Sequence, residues 1–268
     1  MTRTFLWRMA LPENAAIGNG IRYGLRRSHV PQYIDLHCHL LPGLDDGAPD
    51  LATSMEMLRE LLKLGFTEVC VTPHQRNGLF IPSQAEIAES LQTFKKEAAG
   101  QQIPAVVRLG AENYWDEILI DRLRKHSVPC YEDSQAFLFE VNPVIMPPRL
   151  EEALFEVRLS GYFPVVAHPE RYVAVQRDLE FAENLAKQAA MVVDLEAVAG
   201  DANRAQSKAA RRLIEEGLAH AAASDMHRSD ASSSVAKGID WMIRRMGNTV
   251  AANLLQENPR RILSGELP

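Results

Sequence analysis

The chain has 268 residues, with 46% hydrophobic residues, 24% charged residues and a formal net charge of −6 at neutral pH. This length and composition predict one large α/β domain with a substantial core. The acidic balance argues against nucleic acid as a partner, and no apolar run approaches the roughly 20 residues of a membrane span.

Residues 1–30 differ from the rest of the chain because they lack clear periodicity. They contain no sustained apolar segment of the kind that defines a signal peptide. We interpret them as a poorly ordered extension, or as an artefact of a start site that lies nearer Val30, and we expect residues 31–268 to form a single domain. Three scattered cysteines are typical of a reducing compartment, so a cytoplasmic protein is predicted.

From Tyr33 onward, short β-rich runs alternate with segments of helical spacing. The predicted strands are Tyr33–His37, Glu68–Thr72, Ala105–Leu109, Ala136–Val141, Phe163–Ala167, Met191–Leu195 and Ala219–Ala223. Several runs are continuously apolar, as strands of a buried parallel sheet are. The alternation predicts a mainly parallel sheet, either closed as a barrel or open and doubly wound.

The helical segments show apolar residues on one face. In the first, Leu51, Met55 and Leu58 share a face. Asp50 is a suitable N-cap for this helix, and Gly65 is a suitable residue to end it. Further helical faces are predicted from Ile87, Leu91 and Phe94, from Leu150, Leu154 and Val157, from Leu179, Leu185 and Ala189, and from Ala210, Leu213 and Ile214.

Histidines and carboxylates collect where the predicted strands end. The first strand ends in His37-Cys38-His39, with Asp45 and Asp46 in the following loop; later strands lead to His74, Glu112, Glu140, His168, Asp225 and His227. In a parallel barrel these ends meet at one face. Residues two apart in an extended segment point the same way, so His37 and His39 can bind one ion while Cys38 points away. Imidazoles mixed with carboxylates favour zinc, iron or manganese, and there are enough ligands for two or three ions.

A competing motif is the spacing Cys70-x5-Arg76, which is typical of cysteine-dependent phosphatases. That chemistry needs a loop of backbone N–H donors around the phosphate and a thiol of lowered pKa. Here Pro73 removes one donor and the loop contains no glycine. We therefore predict that Cys70 is a buried core thiol.

Several segments resemble the PHP (polymerase and histidinol phosphatase) superfamily between about residues 33 and 263. They are YIDLHCHLLPGLDDG, VTPHQRNGLF, GAENYW, FLFEVN, VVAHPERY, ASDMH and ENPRRIL. Within that superfamily the chain is similar to the manganese-dependent tyrosine-protein phosphatases of bacterial capsule and exopolysaccharide clusters. The resemblance implies a distorted (β/α)7 TIM-like barrel that holds three divalent metal ions. Manganese is the expected metal, and iron and zinc are the alternatives.

The resemblance also implies a division of the ligands among the ions. His37, His39, Glu112 and Asp225 would hold the first ion; Glu112 would bridge to a second ion held by Glu140 and His168; Asp46, His74 and His227 would hold the third. Arg171 matches the phosphate-binding arginine of the family, and Arg76 is a second basic candidate. The family's arginine beyond SDxH is replaced here by Arg228-Ser-Asp-Ala-Ser-Ser, so Arg228 is a third candidate. Glu196 has no match, and we expect it to be structural.

The activity implied is hydrolysis of phosphotyrosine on the tail of a bacterial tyrosine autokinase that controls polysaccharide export. Specificity would come from the loops Gln75–Pro82 and Pro143–Arg149, where Phe80, Tyr114 and Trp115 either pack on a tyrosine ring or serve ordinary packing. Two alternatives remain at this stage: a phosphatase of a small ester such as histidinol phosphate, and a degenerate PHP module used for binding or scaffolding. The sequence does not determine the oligomeric state.

Overall fold

Parallel strands form the centre of the computed structural model, which describes residues 31–268. Within this range there are nine strands: β1 (Tyr33–Cys38), β2 (Phe66–Val71), β3 (His74–Gln75), β4 (Val106–Leu109), β5 (Glu112–Tyr114), β6 (Ala136–Glu140), β7 (Phe163–Ala167), β8 (Ala190–Asp194) and β9 (Ala221–Ala223). Every strand pair is parallel. The predicted parallel α/β class is confirmed.

The strands form two sheets, in the orders β1-β2-β4 and β3-β5-β6-β7-β8-β9. Backbone hydrogen bonds connect their edges. The N–H of Gly110 donates to the Val71 carbonyl, and the N–H of Glu112 donates to the Pro73 carbonyl, so β3 and β5 continue the directions of β2 and β4. At the other edge, the Asp225 N–H donates to the His37 carbonyl, and the His39 N–H to the Met226 carbonyl. The ends of the first and last strands therefore lie side by side.

Eleven α-helices connect and cover the described strands. They are α1 (Leu51–Lys63), α2 (Gln84–Gly100), α3 (Glu117–Arg124), α4 (Leu150–Leu159), α5 (Val173–Arg177), α6 (Leu179–Gln188), α7 (Leu195–Ala199), α8 (Arg204–Glu215), α9 (Ser232–Met246), α10 (Asn248–Ala252) and α11 (Asn258–Leu263), with a π-helical turn at Asn253–Glu257. Within the described residues, no helix combines the length and apolarity that crossing a membrane requires.

Helix α1 has the predicted boundaries. The Asp50 side chain accepts a hydrogen bond from the Thr53 N–H at 2.8 Å, which satisfies one of the free donors of the first turn. Met55 and Leu58 are buried on the predicted face. Gly65 follows the helix with φ of +99°, a conformation that glycine adopts without strain. The helix therefore ends just before β2, which begins at Phe66.

Alternate residues of six strands, β1, β2, β6, β7, β8 and β9, enter two apolar clusters, so these strands are buried on both faces. In β6, Phe137 and Phe139 pack with the helices, whereas Leu138 packs with Leu36 and Val165 in a cluster made almost entirely of strand residues. This arrangement is the one expected of parallel strands covered on both sides. It holds the strand ends in fixed relative positions.

Each of the seven predicted runs overlaps an observed strand, but the sequence did not predict the short strands β3 and β5, which follow β2 and β4 after short breaks. The break after β4 lies at Gly110, where a Cβ atom would lie 2.8 Å from the Tyr131 ring, so the close approach of that ring requires glycine. The strand Phe163–Ala167 has the predicted bounds. The prediction for residues 1–30 lies outside the described part of the chain.

Candidate metal centre

The ends of the strands bring all nine predicted ligands together. The histidines and carboxylates fall into four overlapping groups whose ligand atoms lie within 4.8 Å of one another. The groups are His39, Asp46, His74 and His227; His37, His39 and Glu112; His37, His168 and Asp225; and His74, Glu112 and Glu140. Because they share members, the groups form one continuous centre.

The deepest part of the centre contains His37 and His39. Their Nε2 atoms are 3.1 Å apart, and both lie 3.2–3.3 Å from Glu112 Oε2 and 3.3–3.5 Å from Asp225 Oδ1. All four side chains are buried. Cys38 points away from them into the core, as its position between the two histidines predicts. These four residues are the set that the resemblance assigns to one ion.

Glu112 lies between this group and a second one. Its Oε1 is 2.8 Å from His168 Nε2, and His168 is 3.8 Å from Glu140 Oε2. His74 also faces this group, because its Nδ1 is 3.0 Å from Glu112 Oε2 and 3.9 Å from Glu140 Oε1. The structure therefore brings His74 next to two groups, whereas the sequence placed it in one.

The outermost group surrounds Asp46. Its Oδ1 lies 3.3 Å from His74 Nε2 and 3.4 Å from His227 Nε2. The His227 ring stacks on that of His39, with 4.0 Å between the ring centroids. The Asp46 side chain is 56% exposed, so this group opens to solvent while the first is closed.

Five buried side-chain atoms of the candidate ligands have no hydrogen-bond partner among the described residues: His74 Nδ1, Glu112 Oε2, Glu140 Oε1, His168 Nδ1 and Asp225 Oδ1. A buried polar atom that lacks a partner is costly, typically about 1–3 kcal/mol. Cations would satisfy the four among them that face the other ligands, and the mixed nitrogen and oxygen set suits manganese, iron or zinc. The residues present thus fit a metal centre.

The protonation states in the centre also fit a metal site. Burial and the nearby Glu112 raise the pKa of Glu140 to about 7, because two carboxylates in one buried site repel. Although burial opposes ionisation, His37 holds the pKa of Glu112 and of Asp225 well below the usual range. Burial and the Arg171 guanidinium lower the pKa of His168 to about 4, which keeps that imidazole neutral and able to bind a cation.

Asp45 has a role that the sequence did not reveal. Its Oδ2 lies 2.8 Å from His39 Nδ1 and accepts the His74 N–H at 3.0 Å, while Oδ1 accepts the Gly47 N–H at 3.0 Å. The His39 tautomer that donates from Nδ1 leaves Nε2 free to face the centre. Gly47 is required, because a Cβ atom there would lie 2.3 Å from the His39 carbonyl oxygen. Asp45 thus positions two ligands and their loop.

Asp35 plays a similar role beneath the centre. Its buried carboxylate accepts hydrogen bonds from the Ser224 N–H at 3.0 Å, the Ser224 hydroxyl at 2.5 Å and the His37 N–H at 3.3 Å. These bonds fix the first and last ligand segments to each other. Asp225 and His168 have positive φ values of 45° and 32°, which are costly for residues other than glycine. Such strain is common at functional sites.

The three candidate arginines occupy different environments. Arg171 Nη2 donates to Asp194 Oδ2 at 3.0 Å and also to Asp225. The Arg76 guanidinium lies 4.2 Å from the centroid of the Tyr114 ring and 4.0 Å from Glu140. Arg228 is 65% exposed, and its Nε lies 2.7 Å from Asp230. Two of the three arginines therefore border the ligands, and Arg228 is paired with a surface carboxylate.

A pair of buried carboxylates supports Arg171. The Glu170 side chain accepts the Asp194 N–H at 3.2 Å, and burial together with Asp194 raises the pKa of Glu170 to about 8. Asp194 Oδ1 accepts the N–H of Glu196 at the start of α7. This contact uses only the backbone of Glu196, so the structural role expected of its side chain stays a prediction. The sequence segment HPERY contains Glu170, but nothing in its pattern marks that residue as buried.

The aromatic candidates divide between the centre and the core. The Phe80 ring stacks on His74, with centroids 5.7 Å apart, and Tyr114 lies beneath Arg76. Trp115 packs on Phe139 and the apolar core, so ordinary packing describes it. Cys70 is fully buried, and burial raises the pKa of its thiol well above the usual value. A thiol in this environment is not a phosphate-binding nucleophile.

A parallel α/β fold with histidines and carboxylates converging at its strand ends defines a protein of the metal-dependent hydrolase type. The family model described as "Capsular polysaccharide synthesis, CpsB/CapC" matches residues 33–264. The chain therefore belongs to the CpsB/CapC family, and its predicted resemblance to the phosphatases of capsule clusters is confirmed.

Relatives of similar length carry phosphatase names. The chain is 29% identical over 235 residues to the tyrosine-protein phosphatase YwqE of Bacillus subtilis, covering 87% of this chain and 92% of YwqE. It is 27% identical over 241 residues to the tyrosine-protein phosphatase CpsB of Streptococcus pneumoniae, covering 87% and 99%.

The solved structures that resemble this chain include phosphatases as well. A match from crystal structures of YwqE of Bacillus subtilis and CpsB of Streptococcus pneumoniae, described as unique metal-dependent tyrosine phosphatases, has a TM-score of 0.78 and 28% identity, covering 87% of this chain and 95% of that one. The histidinol phosphate phosphatase of Lactococcus lactis has a TM-score of 0.53 at 15% identity, covering 80% and 93%, and shares the fold.

Proposed function

We propose that this chain is a metal-dependent phosphomonoester hydrolase that acts on phosphotyrosine in proteins. The observation that carries the proposal is the convergence of nine imidazole and carboxylate side chains, four of which direct a buried atom towards the other ligands with no hydrogen-bond partner among the described residues. Relatives that cover most of the same length are named tyrosine-protein phosphatases, which favours this substrate over histidinol phosphate.

We further propose that the centre holds three divalent ions, with manganese the first choice and iron or zinc possible. His37, His39, Glu112 and Asp225 would hold the first, Glu112, Glu140 and His168 the second, and Asp46, His74 and His227 the third. The position of Glu112 between two groups supports its bridging role. When bound, divalent ions supply positive charge and activate water at neutral pH.

The chain's own residues would bind and orient the phosphate. Arg171 is the proposed phosphate ligand, because Asp194 and Asp225 hold its guanidinium at the edge of the centre. Arg76 lies on Tyr114 beside Glu140 and would be a second contact for the same dianion. Charge on the equatorial oxygens would be stabilised by these groups. Arg228 remains a weaker candidate because Asp230 pairs with it.

The substrate side chain would lie near Phe80 and Tyr114, whose rings border the centre. The tyrosine leaving group has a pKa of about 10, so its departure needs only modest protonation. A covalent phosphoenzyme on Cys70 is not part of the proposal, because that thiol is buried inside β2.

The wider context also remains a proposal. The partner would be the phosphotyrosine-containing tail of a bacterial tyrosine kinase that controls capsule or exopolysaccharide synthesis, and the location would be the cytoplasm. Residues 31–268 would be one PHP-type domain with a distorted (β/α)7 barrel. The hydrogen bonds between the ends of the first and last strands support closure of that barrel.

Hydrolysis of a phosphotyrosine peptide tests the proposal. We expect activity to be lost with EDTA and restored by manganese, and to survive Cys70→Ser. Activity that ignores the chelator but disappears in Cys70→Ser would overturn the metal mechanism. A higher kcat/KM for histidinol phosphate than for the peptide would overturn the substrate.

A further inference from the structure

An open groove lies along the outer side of the strands, separate from the metal centre. It runs between α2 and the segment that joins α3 to β6, and its volume is about 1100 Å³. Ile81, Ile87 and Leu91 give it an apolar surface, and Ile81 is 47% exposed. Only Phe94 and Ala98 of the 17 residues of α2 are buried. The first half of this helix therefore has an apolar side that is incompletely covered by the described residues.

The charge of the groove has one sign. Lys95, Lys96 and Arg122 line it, and among the described residues no aspartate or glutamate does, although the whole chain has a net charge of −6. Among residues 31–268, the ion-pair partner of Lys95 is Glu132, at 3.4 Å, and Arg122 donates to the neutral side chain of Gln75. An apolar surface with cationic groups complements a segment that carries both apolar and acidic residues.

The groove and the metal centre share a wall. Phe80 stacks on the ligand His74, and the next residue, Ile81, lines the groove. Gln75 follows His74 in β3, and its side chain donates to the His74 carbonyl while also lining the groove. A polypeptide with one side chain in the centre can therefore continue across the loop after β3 into the groove.

We propose that this groove binds an acidic and apolar segment of the protein substrate, adjacent in sequence to its phosphotyrosine. The inference rests on the proposed function and adds a docking surface to it. Apolar substrate residues cover Ile87 and Leu91, and carboxylates lie beside Lys95 and Lys96. The groove, with a volume of about 1100 Å³, has room for several side chains of an extended peptide.

The test compares three phosphotyrosine peptides with manganese-loaded full-length protein. One has flanks of glycine and serine, and the others carry leucine and glutamate residues before or after the phosphotyrosine. We expect one of the acidic peptides to have a KM about tenfold lower than the neutral one, with similar kcat. In the Lys95→Glu/Lys96→Glu variant this advantage disappears, while hydrolysis of p-nitrophenyl phosphate is unchanged.

A double variant elsewhere controls for net charge. Lys187 and Lys208 are exposed on α6 and α8 and do not line the groove, so Lys187→Glu/Lys208→Glu should retain the preference. Equal KM values for the three peptides, or a preference that survives in Lys95→Glu/Lys96→Glu, would overturn the docking surface alone. If none of the peptides is hydrolysed, the proposed function fails and the inference fails with it.

Discussion

Buried histidines lie at both ends of the parallel strands, but their surroundings differ. At the carboxyl ends, His37 and Glu112 are buried with ligand atoms that face one another. At the amino end of β9, His220 accepts the Met191 N–H at Nδ1, at 3.0 Å, and its carbonyl accepts from Asn258. In barrels of parallel strands the carboxyl end carries activity and the amino end carries stability. The buried histidine at the amino end thus has a protein partner, whereas Glu112 at the carboxyl ends keeps a buried oxygen that has none among the described residues.

The largest expected effect comes from Glu112→Gln at the carboxyl ends. This change keeps the shape but removes the charge that lies between two ligand groups. We expect phosphotyrosine-peptide hydrolysis to fall about 1000-fold, with fewer ions bound per chain. The metal-free variant should unfold at a lower urea concentration, because folding favours the ionised Glu112 beside His37 and the amide lacks that charge. Metal analysis and urea titration check both statements, and unchanged metal content would contradict the assignment.

Arg171→Lys should have the next largest effect. Lysine keeps the charge but cannot contact Asp194, Asp225 and a phosphate with one planar group. We expect kcat/KM to fall about 100-fold, or about 2.7 kcal/mol of transition-state stabilisation. The matched variant Arg228→Lys should change it less than threefold, because Arg228 pairs with Asp230 on the surface. The opposite ranking would move the phosphate site to Arg228.

Asp45→Asn tests positioning at the same end. An amide can still accept from the backbone, but it holds the His39 tautomer less firmly. Loss of such support typically costs 10- to 100-fold in metal affinity, which calorimetric titration with manganese measures. The neighbouring Asp50→Ala is the control: we expect it to lower the urea midpoint of unfolding through loss of the helix cap, with metal affinity unchanged. Equal manganese affinities in the two variants would remove the positioning role.

The sequence predicted the ligands better than their supports. Strand ends were predictable because parallel strands bring their carboxyl termini to one face, and His74 and His168 do lie among the converging side chains there. Asp45 and Asp46 are adjacent and chemically identical, so only the fold of their loop separates the positioning residue from the candidate ligand. The break at Gly110 was not predictable either, because it depends on the Tyr131 ring, which is 21 residues away in sequence.

The smallest effect is expected at the amino end, from the pH dependence that His220 introduces. Burial lowers the pKa of His220 to about 4, below the value near 6.5 of an unfolded chain. The neutral imidazole is therefore favoured by folding, and its contribution is complete above pH 6.5 and decreases as the pH falls towards 4. Protonation at Nδ1 would also remove the acceptor that the Met191 N–H uses.

His220→Gln keeps an acceptor that does not titrate, so the metal-free variant should lose less stability than the metal-free parent between pH 7.5 and pH 5. Urea unfolding at the two pH values measures the difference, and parallel losses in both proteins would show that His220 does not titrate with folding. Manganese-dependent activity at pH 7.5 should be the same in both, because this histidine stabilises the end of the strands that binds no substrate.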